Sequence, residues 1–306
     1  MDKSNYFYKD RCLFGAYPTQ KDIEDLENYN VKLFVNLTTE EENLFDYRSK
    51  YDIIKFPIID RDIPDDNYNF VLLILFLDNY INEIKSSKIY IHCKGGHGRS
   101  AMVSACLLCR LEDISPDEAI DIVSDSHSKR KILKDKWKNK IFPNSRNQRF
   151  YLKKIFSPLY FSKCYKNSEK NGLSNFSDHK VDIPGVGIFP NSESAYYALR
   201  NPYDKEYIDK LKNSKNPRVA KYIGEQYLET HGNIEDEKKI ENMYKILKSK
   251  FNQNDDIKNK LLCTGFRPIV NHNRFDSFWG DGGDRGKNHL GILLTKLRNE
   301  FYKSGY

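Results

Sequence analysis

Ile91-His92-Cys93-Lys94-Gly95-Gly96-His97-Gly98-Arg99-Ser100 is the stretch on which the reading of this 306-residue chain turns. The apolar run Ile89-Tyr90-Ile91 before it predicts a buried strand, and the residues from Arg99 to about Leu111 predict a helix. Between them the chain must curl, and Gly95, Gly96 and Gly98 permit the backbone geometry that a tight curl demands. Amides of Lys94 to Arg99 turned inward would bind a dianionic phosphate at the start of the helix. In this reading Lys94, Gly95, Gly96, His97, Gly98, Arg99 and Ser100 form the phosphate-binding set. Arg99 adds a planar fork for two phosphate oxygens. The same positive field leaves Cys93 a thiolate that can attack phosphorus. Ser100 would stabilise the departing thiolate, and His92 would hold the loop from behind.

Outward from this loop the first half alternates strand-like and helix-like segments. Thr19 caps a helix to Asn28, Lys32 to Leu37 and Tyr51 to Ile59 read as strands, and Asn69 to Ile84 is a long amphipathic helix. Ser115-Pro116-Asp117-Glu118 opens another helix, and Phe142-Pro143-Asn144-Ser145 caps a last one to about Phe156. The alternation predicts an α/β domain over residues 1–156. Ser157 to Gly172 reads as polar and irregular, which sets the boundary. Residues 157–306 predict an α-rich α+β domain, with helices over Glu193–Arg200, Pro217–Leu228, Glu235–Phe251, Asp256–Cys263 and Leu290–Tyr302. No internal repeat relates the halves.

Composition narrows the function classes. Hydrophobic residues make up 39 % and aromatics 13 %, enough to supply cores and to exclude wholesale disorder. The longest apolar run, Phe70 to Leu77, is too short to cross a bilayer, and Met1 to Asn5 is polar, so a cytoplasmic protein without membrane insertion is expected. Cys12, Cys93, Cys106, Cys109, Cys164 and Cys263 are then read as thiols. Cys106 and Cys109 lie one helical turn apart in an apolar stretch, as core thiols rather than metal ligands. The net charge of +7 is unevenly spread: 25 basic and 24 acidic residues up to Phe156, 25 and 19 beyond it. The excess suits an anionic ligand for the second half.

The HCxxGxxRS pattern of His92 to Ser100 resembles the protein tyrosine and dual-specificity phosphatases, and the whole first half resembles that family. The resemblance implies a cysteine-dependent phosphatase acting on a phosphorylated substrate. It points to Asp60 as the acid that protonates the leaving oxygen, with Asp62 second. Lys94 and His97 stand where phosphoinositide phosphatases of the superfamily carry basic residues, a hint of a highly anionic substrate. Gln148 lies on a segment similar to the family's closing helix.

The second half resembles the NADAR domain, which includes the riboflavin-intermediate N-glycosidases. The resemblance rests on Leu173-Ser174-Asn175-Phe176-Ser177, Phe189-Pro190-Asn191-Ser192-Glu193, Asn216-Pro217-Arg218, Met243 to Phe251, Leu261 to Gly265, Asp276-Ser277-Phe278-Trp279-Gly280-Asp281-Gly282-Gly283 and Gly286 to Gly291. It implies hydrolysis of an N-glycosidic bond. Glu193 would stabilise an oxocarbenium-like ribose and position water, with Asp281 as a second catalytic carboxylate. Trp279 offers a face to the base. Asn175 and Asn288 are candidate hydrogen-bonding groups for base or ribose, and Arg285 and Lys287 for the phosphate. Two departures stand out: Glu235-Asp236-Glu237 where the family has a Trp before Met243, and Asn271 where it commonly has a Glu. Phosphoribosylamino-pyrimidines of riboflavin biosynthesis are the expected substrates. ADP-ribose on guanine in nucleic acid is the alternative, and binding without turnover is a third possibility. Neither chemistry implies a metal or an organic cofactor.

Overall fold

A computed structural model describes residues 2–162 and 170–304. The chain divides into two compact units, residues 1–156 and 157–306. Cys164 lies outside the described residues.

Unit one is a five-stranded sheet with helices packed on it. The strands are β1 (Ser4–Tyr8), β2 (Cys12–Gly15), β3 (Val31–Asn36), β4 (Asp52–Lys55) and β5 (Lys88–His92), in the order β1-β2-β5-β3-β4. All neighbours are parallel except the β1/β2 pair. The strands at 4–8 and 12–15 escape the sequence reading, because a short edge hairpin carries little periodicity. β5 sits in the middle, paired with β2 and β3, and is buried from Ile89 to His92. A ligand loop at its C-terminal end lies where open α/β sheets place their sites.

The helices follow from their caps and apolar faces. α1 (Gln20–Asn28) starts at a reciprocal Thr19/Asp22 capping box and buries Ile23 and Leu26. α2 (Asn67–Glu83) is capped by Asp66 and buries Phe70, Ile74 and Leu77. α3 (Arg99–Glu112) is buried at every position from Arg99 to Cys109, as expected of the helix leaving a central strand. Its Cys106 and Cys109 are core thiols; burial pushes Cys106 well up and Cys109 to about 12. α4 (Pro116–Ser128) begins at a Ser115/Glu118 capping box with Pro at its first turn. α5 (Arg146–Phe156) closes the unit.

Unit two is mostly helical. A parallel pair joins β6 (Leu159–Phe161) to β9 (Ile269–Asn271), and β7 (Val181–Ile183) pairs antiparallel with β8 (Gly187–Phe189). β6 corrects the reading of 157–172 as wholly irregular. The helices are α6 (Ser192–Ala198), α7 (Lys205–Lys212), α8 (Pro217–His231), α9 (Asp236–Gln253), α10 (Asp255–Cys263) and α11 (His289–Ser304). Their core is built on Phe189, Met243, Leu247, Phe251, Leu261 and Leu294. α8 crosses Tyr197 so closely that a Cβ at Gly224 would lie 2.0 Å from its ring, so only glycine fits there. Among the described residues no helix is long and apolar enough to cross a membrane.

Candidate active sites

The Cys93 loop curls between β5 and α3 as the residue pattern requires. Gly96 has φ +73°, and a Cβ there would lie 2.5 Å from the Gly15 carbonyl carbon; the loop is backed directly on the end of β2. Arg130, 6 % exposed, donates to the Gly96 carbonyl at 3.0 Å and the Phe14 carbonyl at 3.2 Å, fastening loop to sheet. Tyr17 donates its amide to the Lys94 carbonyl, and Asn144 to the His97 carbonyl. Cys93 is 2 % exposed, with its Sγ 3.4 Å from the Ser100 hydroxyl.

His92 lies behind the loop, its Nε2 2.7 Å from the Tyr47 hydroxyl, and burial pushes it down to about 3, so it is a neutral brace. His97 is held the same way. Its Nδ1 meets His127 Nε2 at 2.8 Å, and burial, then the charges of Arg130, Lys136 and Lys134, push it down to about 4. His97 therefore carries no positive charge at neutral pH. Lys94 is exposed on the rim.

Arg99 is the most constrained group of the site. Buried to 1 %, it donates Nη1 to the carbonyls of Leu37 and Ile58 and shares a two-pronged ion pair with Glu42. Burial alone would raise the Glu42 carboxyl, but Arg99 and the Thr39 amide hold it below its usual range. Arg99 Nε is buried with no protein partner, which leaves that donor for a ligand oxygen. Its Nη2 also reaches Asp60 Oδ1 at 3.0 Å. Asp60 thus meets Arg99 while remaining more than half exposed. Asp62 turns the other way: its Oδ1 accepts from its neighbour Ile63 at 2.8 Å and from Asn147 at 3.2 Å. Gln148, fully buried on α5, donates to the Asp62 carbonyl and lies against Gly98. Glu42, Tyr47 and Arg130 were not singled out from the sequence, because their partners lie tens of residues away.

In unit two a cavity of about 900 Å³ opens around the start of α6. Asn191 caps that helix by accepting from the Ser194 amide at 2.9 Å, and Glu193 in the first turn lines the cavity. The Glu193 amide donates to the Asn175 carbonyl at 3.3 Å, so two segments quoted from the sequence meet at the Glu193 backbone. Asn175 also lines the cavity. Its Nδ2 rests on Met243 Sδ at 3.6 Å, and its buried Oδ1 has no protein partner. Behind it, fully buried Lys250 donates to the carbonyls of Gly172 and Ser174 at 2.6 and 2.9 Å, holding the segment that presents Asn175 and Phe176.

Burial raises the Glu193 carboxyl to about 7. Lys221 and Arg200 oppose the rise, and Asp276 and Glu225 add to it. Trp279 forms another wall, edge-on to Tyr196 at 5.4 Å, and it also packs on the hydrophobic core. Asp276 fixes it by accepting from the amides of Phe278 and Trp279. Asn271 lines the cavity and reaches the Trp279 carbonyl at 3.3 Å.

Other expected residues lie outside the cavity lining. Asp281 Oδ2 meets His272 Nδ1 at 2.6 Å, and its Oδ1 accepts from the amides of Asn273 and Gly283. Burial alone would raise that carboxyl, but His272 and the two amides hold it low, so it organises its own loop. Asn288 ties the same loop to β9, accepting from the Asn271 amide at 2.9 Å and donating to the Ile269 carbonyl at 3.0 Å. Arg285 and Lys287 are exposed and do not line the cavity; Arg200, Arg218 and Lys221 do. Among the described residues no group of three His, Cys, Asp or Glu could hold a metal ion.

A central-strand cysteine loop closed by an arginine, followed by a helical unit with a buried glutamate in its cavity, defines two chemistries on one chain. Residues 13–148 match the dual specificity phosphatase catalytic domain, and residues 160–302 match the NADAR domain. The chain is 30 % identical over 305 residues to the 197R protein of Invertebrate iridescent virus 6, named as a tyrosine phosphatase, covering 96 % of this chain and 90 % of that one. It belongs to that family, and in this chain a dual specificity phosphatase catalytic domain is followed by a NADAR domain. The second half is 32 % identical over 138 residues to the N-glycosidase YbiA of Escherichia coli strain K12, covering 44 % of this chain and 85 % of YbiA. A further relative is the riboflavin biosynthesis protein VVA0006 of Vibrio vulnificus, 32 % identical over 145 residues, 47 % of this chain and 38 % of that one.

Proposed function

We propose that the chain is a bifunctional hydrolase. Its first unit removes phosphate through a Cys93 phosphocysteine, and its second hydrolyses the N-glycosidic bond of phosphoribosylamino-pyrimidines. The observation that carries the glycosidase reading is Glu193: a buried carboxyl, raised to about 7, on the wall of a cavity that also presents Trp279. A carboxylate there offsets positive charge on the ribosyl ring as the C1′–N bond breaks and takes the proton of the attacking water, which then goes to the departing nitrogen, while Trp279 receives the base. The relationship to YbiA and VVA0006, an N-glycosidase and a riboflavin protein by name, supports that substrate class. Incubation with a phosphoribosylamino-pyrimidine and mass-spectrometric detection of free base tests it; no base above a Glu193→Gln control overturns it. The cavity, near the upper end of small-ligand sites, also has the volume for an ADP-ribosyl group. Release of ADP-ribose from guanine in nucleic acid is the second reading, tested on the same preparations.

Arg218 and Lys221, on the first turns of α8 beside its Asn216 cap, replace Arg285 and Lys287 as the candidate phosphate clamp. Arg218→Ala/Lys221→Ala is expected to raise KM for the phosphoribosyl substrate about ten-fold or more, with a small change in kcat when assayed well above the titration range of Glu193, which the loss of Lys221 pushes further up. A kcat loss with KM unchanged would remove them from substrate binding.

In the phosphatase unit, the Cys93 thiolate attacks phosphorus as the P–O bond to the leaving group breaks. Asp60 delivers a proton to the departing oxygen, and Arg99 offers Nε to one phosphoryl oxygen and, once Asp60 releases it, Nη2 to a second. Asp60 then takes a proton from the water that releases phosphate from Cys93. Asp60→Asn is expected to slow alkyl phosphates about 10²-fold or more and to spare aryl phosphates whose leaving groups scarcely need a proton. The same signature in Asp62→Asn instead would transfer the role.

A further inference from the structure

Glu193 and Tyr197 stand one helical turn apart on α6, and both line the cavity of unit two. Tyr197 is only 5 % exposed. Its ring packs on Gly224 of α8, where no larger residue fits, and meets Tyr196 edge-on at 5.3 Å. The neighbouring phenols are engaged: Tyr196 accepts from Arg200, and Tyr207 donates to the Tyr197 carbonyl at 3.3 Å. The Tyr197 hydroxyl has no protein partner among the described residues. Burial, then the carboxylates of Glu193 and Glu225, push that phenol up, so at neutral pH it keeps its proton. A buried hydroxyl without a partner is destabilising, and a ligand in the cavity that bonds to it removes the penalty. Its place in the cavity decides which part of a ligand it meets. Trp279 stands against Tyr196, while Arg218 and Lys221 sit on α8, the helix that crosses Tyr197. With the base on Trp279 and the phosphate on α8, the sugar lies over Glu193 and Tyr197. Glu193 serves the anomeric carbon, and the hydroxyl next to that carbon is the 2-hydroxyl.

We infer that the Tyr197 hydroxyl donates to the 2-hydroxyl of the substrate's ribose and makes the site selective for ribosyl over 2-deoxyribosyl groups. The inference rests on the N-glycosidase reading of the same cavity and names the residue that reads the sugar. Glu193 and Glu225 line the same wall, so a ribose hydroxyl can accept from Tyr197 and give its own proton to a carboxylate at once. A 2-deoxyribosyl group leaves the phenol unpaired, and a site built around a substrate hydroxyl rejects the analogue that lacks it.

Ribose 5-phosphate and 2-deoxyribose 5-phosphate are titrated by calorimetry into full-length Cys93→Ser protein, in which the first unit cannot consume the phosphate, with and without Tyr197→Phe. Phenylalanine keeps the ring that packs on Gly224 and removes only the hydroxyl. The phosphate loop of the first unit sees the same phosphate in both ligands, so a difference between them reports on the second unit. With Tyr197 intact, ribose 5-phosphate is expected to bind about ten-fold tighter than its 2-deoxy counterpart. Tyr197→Phe is expected to close that gap to about two-fold by weakening ribose 5-phosphate alone. No gap with Tyr197 intact, a gap that survives the change, or equal weakening of both ligands overturns the inference. With Cys93 intact, Tyr197→Phe is expected to lose about ten-fold in kcat/KM for base release from a phosphoribosylamino-pyrimidine. Undiminished base release overturns the inference as well. If wild-type protein releases no base at all, the N-glycosidase reading falls, and the gap between the two sugar phosphates still decides the role of Tyr197.

Discussion

Glu193→Gln is expected to bind the glycoside within about two-fold of wild type and to release base about 10²- to 10⁴-fold more slowly. Glutamine keeps the shape of the carboxyl and most of its hydrogen bonding, and removes the charge that the ribosyl cation needs. The pH dependence adds an independent readout. Burial holds the Glu193 carboxyl near 7. If the carboxylate is the working form, kcat/KM rises with pH and levels off above about 7. A falling limb through the same range would assign Glu193 as the acid on the leaving base.

The stability of the second unit follows the opposite sign. Because the folded carboxyl sits above its ordinary value of 4.5, the native state holds a proton that the unfolded chain gives up. The stability this proton confers is complete below about 4.5 and is lost as pH rises through about 7. Glutamine has no proton to lose, so the variant should match wild type near pH 4.5 and exceed it at pH 8, by about 3 kcal/mol at most. A thermal melt of both proteins across that range checks it. Equal pH dependence would mean that Glu193 is better solvated than its burial implies.

Cys93→Ser is expected to abolish hydrolysis of an aryl phosphate, a loss of roughly 10⁴-fold or more, and to leave base release unchanged. A hydroxyl of serine is not ionised at neutral pH and is a poor nucleophile toward phosphorus. Vanadate, which forms its adduct with the nucleophile, should inhibit wild type and fail to be trapped by the variant. Because the loop amides and Arg99 remain, inorganic phosphate should still bind. Undiminished turnover by the variant would sink the cysteine mechanism. Loss of both activities together would point to a folding defect, which a melting curve separates.

The sequence determined the parts that are contiguous. Strand, curl and helix around Cys93 are neighbours along ten residues, so the β/α sense of the unit and its phosphate loop could be read directly. The helices whose starts carry side-chain caps, at Thr19 and Ser115, could also be read, since a cap acts over three residues. The β1/β2 hairpin, α7 and the three-residue strands of unit two are too short to impose a period and emerge only when their partners are present. Only tertiary structure decided which charges meet. Glu42 pairs with Arg99 across 57 residues, and Arg130 reaches the loop from the far end of α4. Asp60 is brought to Arg99 while Asp62, two residues on, is held by Asn147. Asp281 looked as fit for chemistry as Glu193, being an acid beside glycines and a tryptophan. The fold turned its oxygens onto His272 and two loop amides, and left Glu193 buried on a cavity wall beside Arg200 and Lys221. A carboxylate's role depends on what desolvates it and what bonds to it, and those neighbours come from distant parts of the chain.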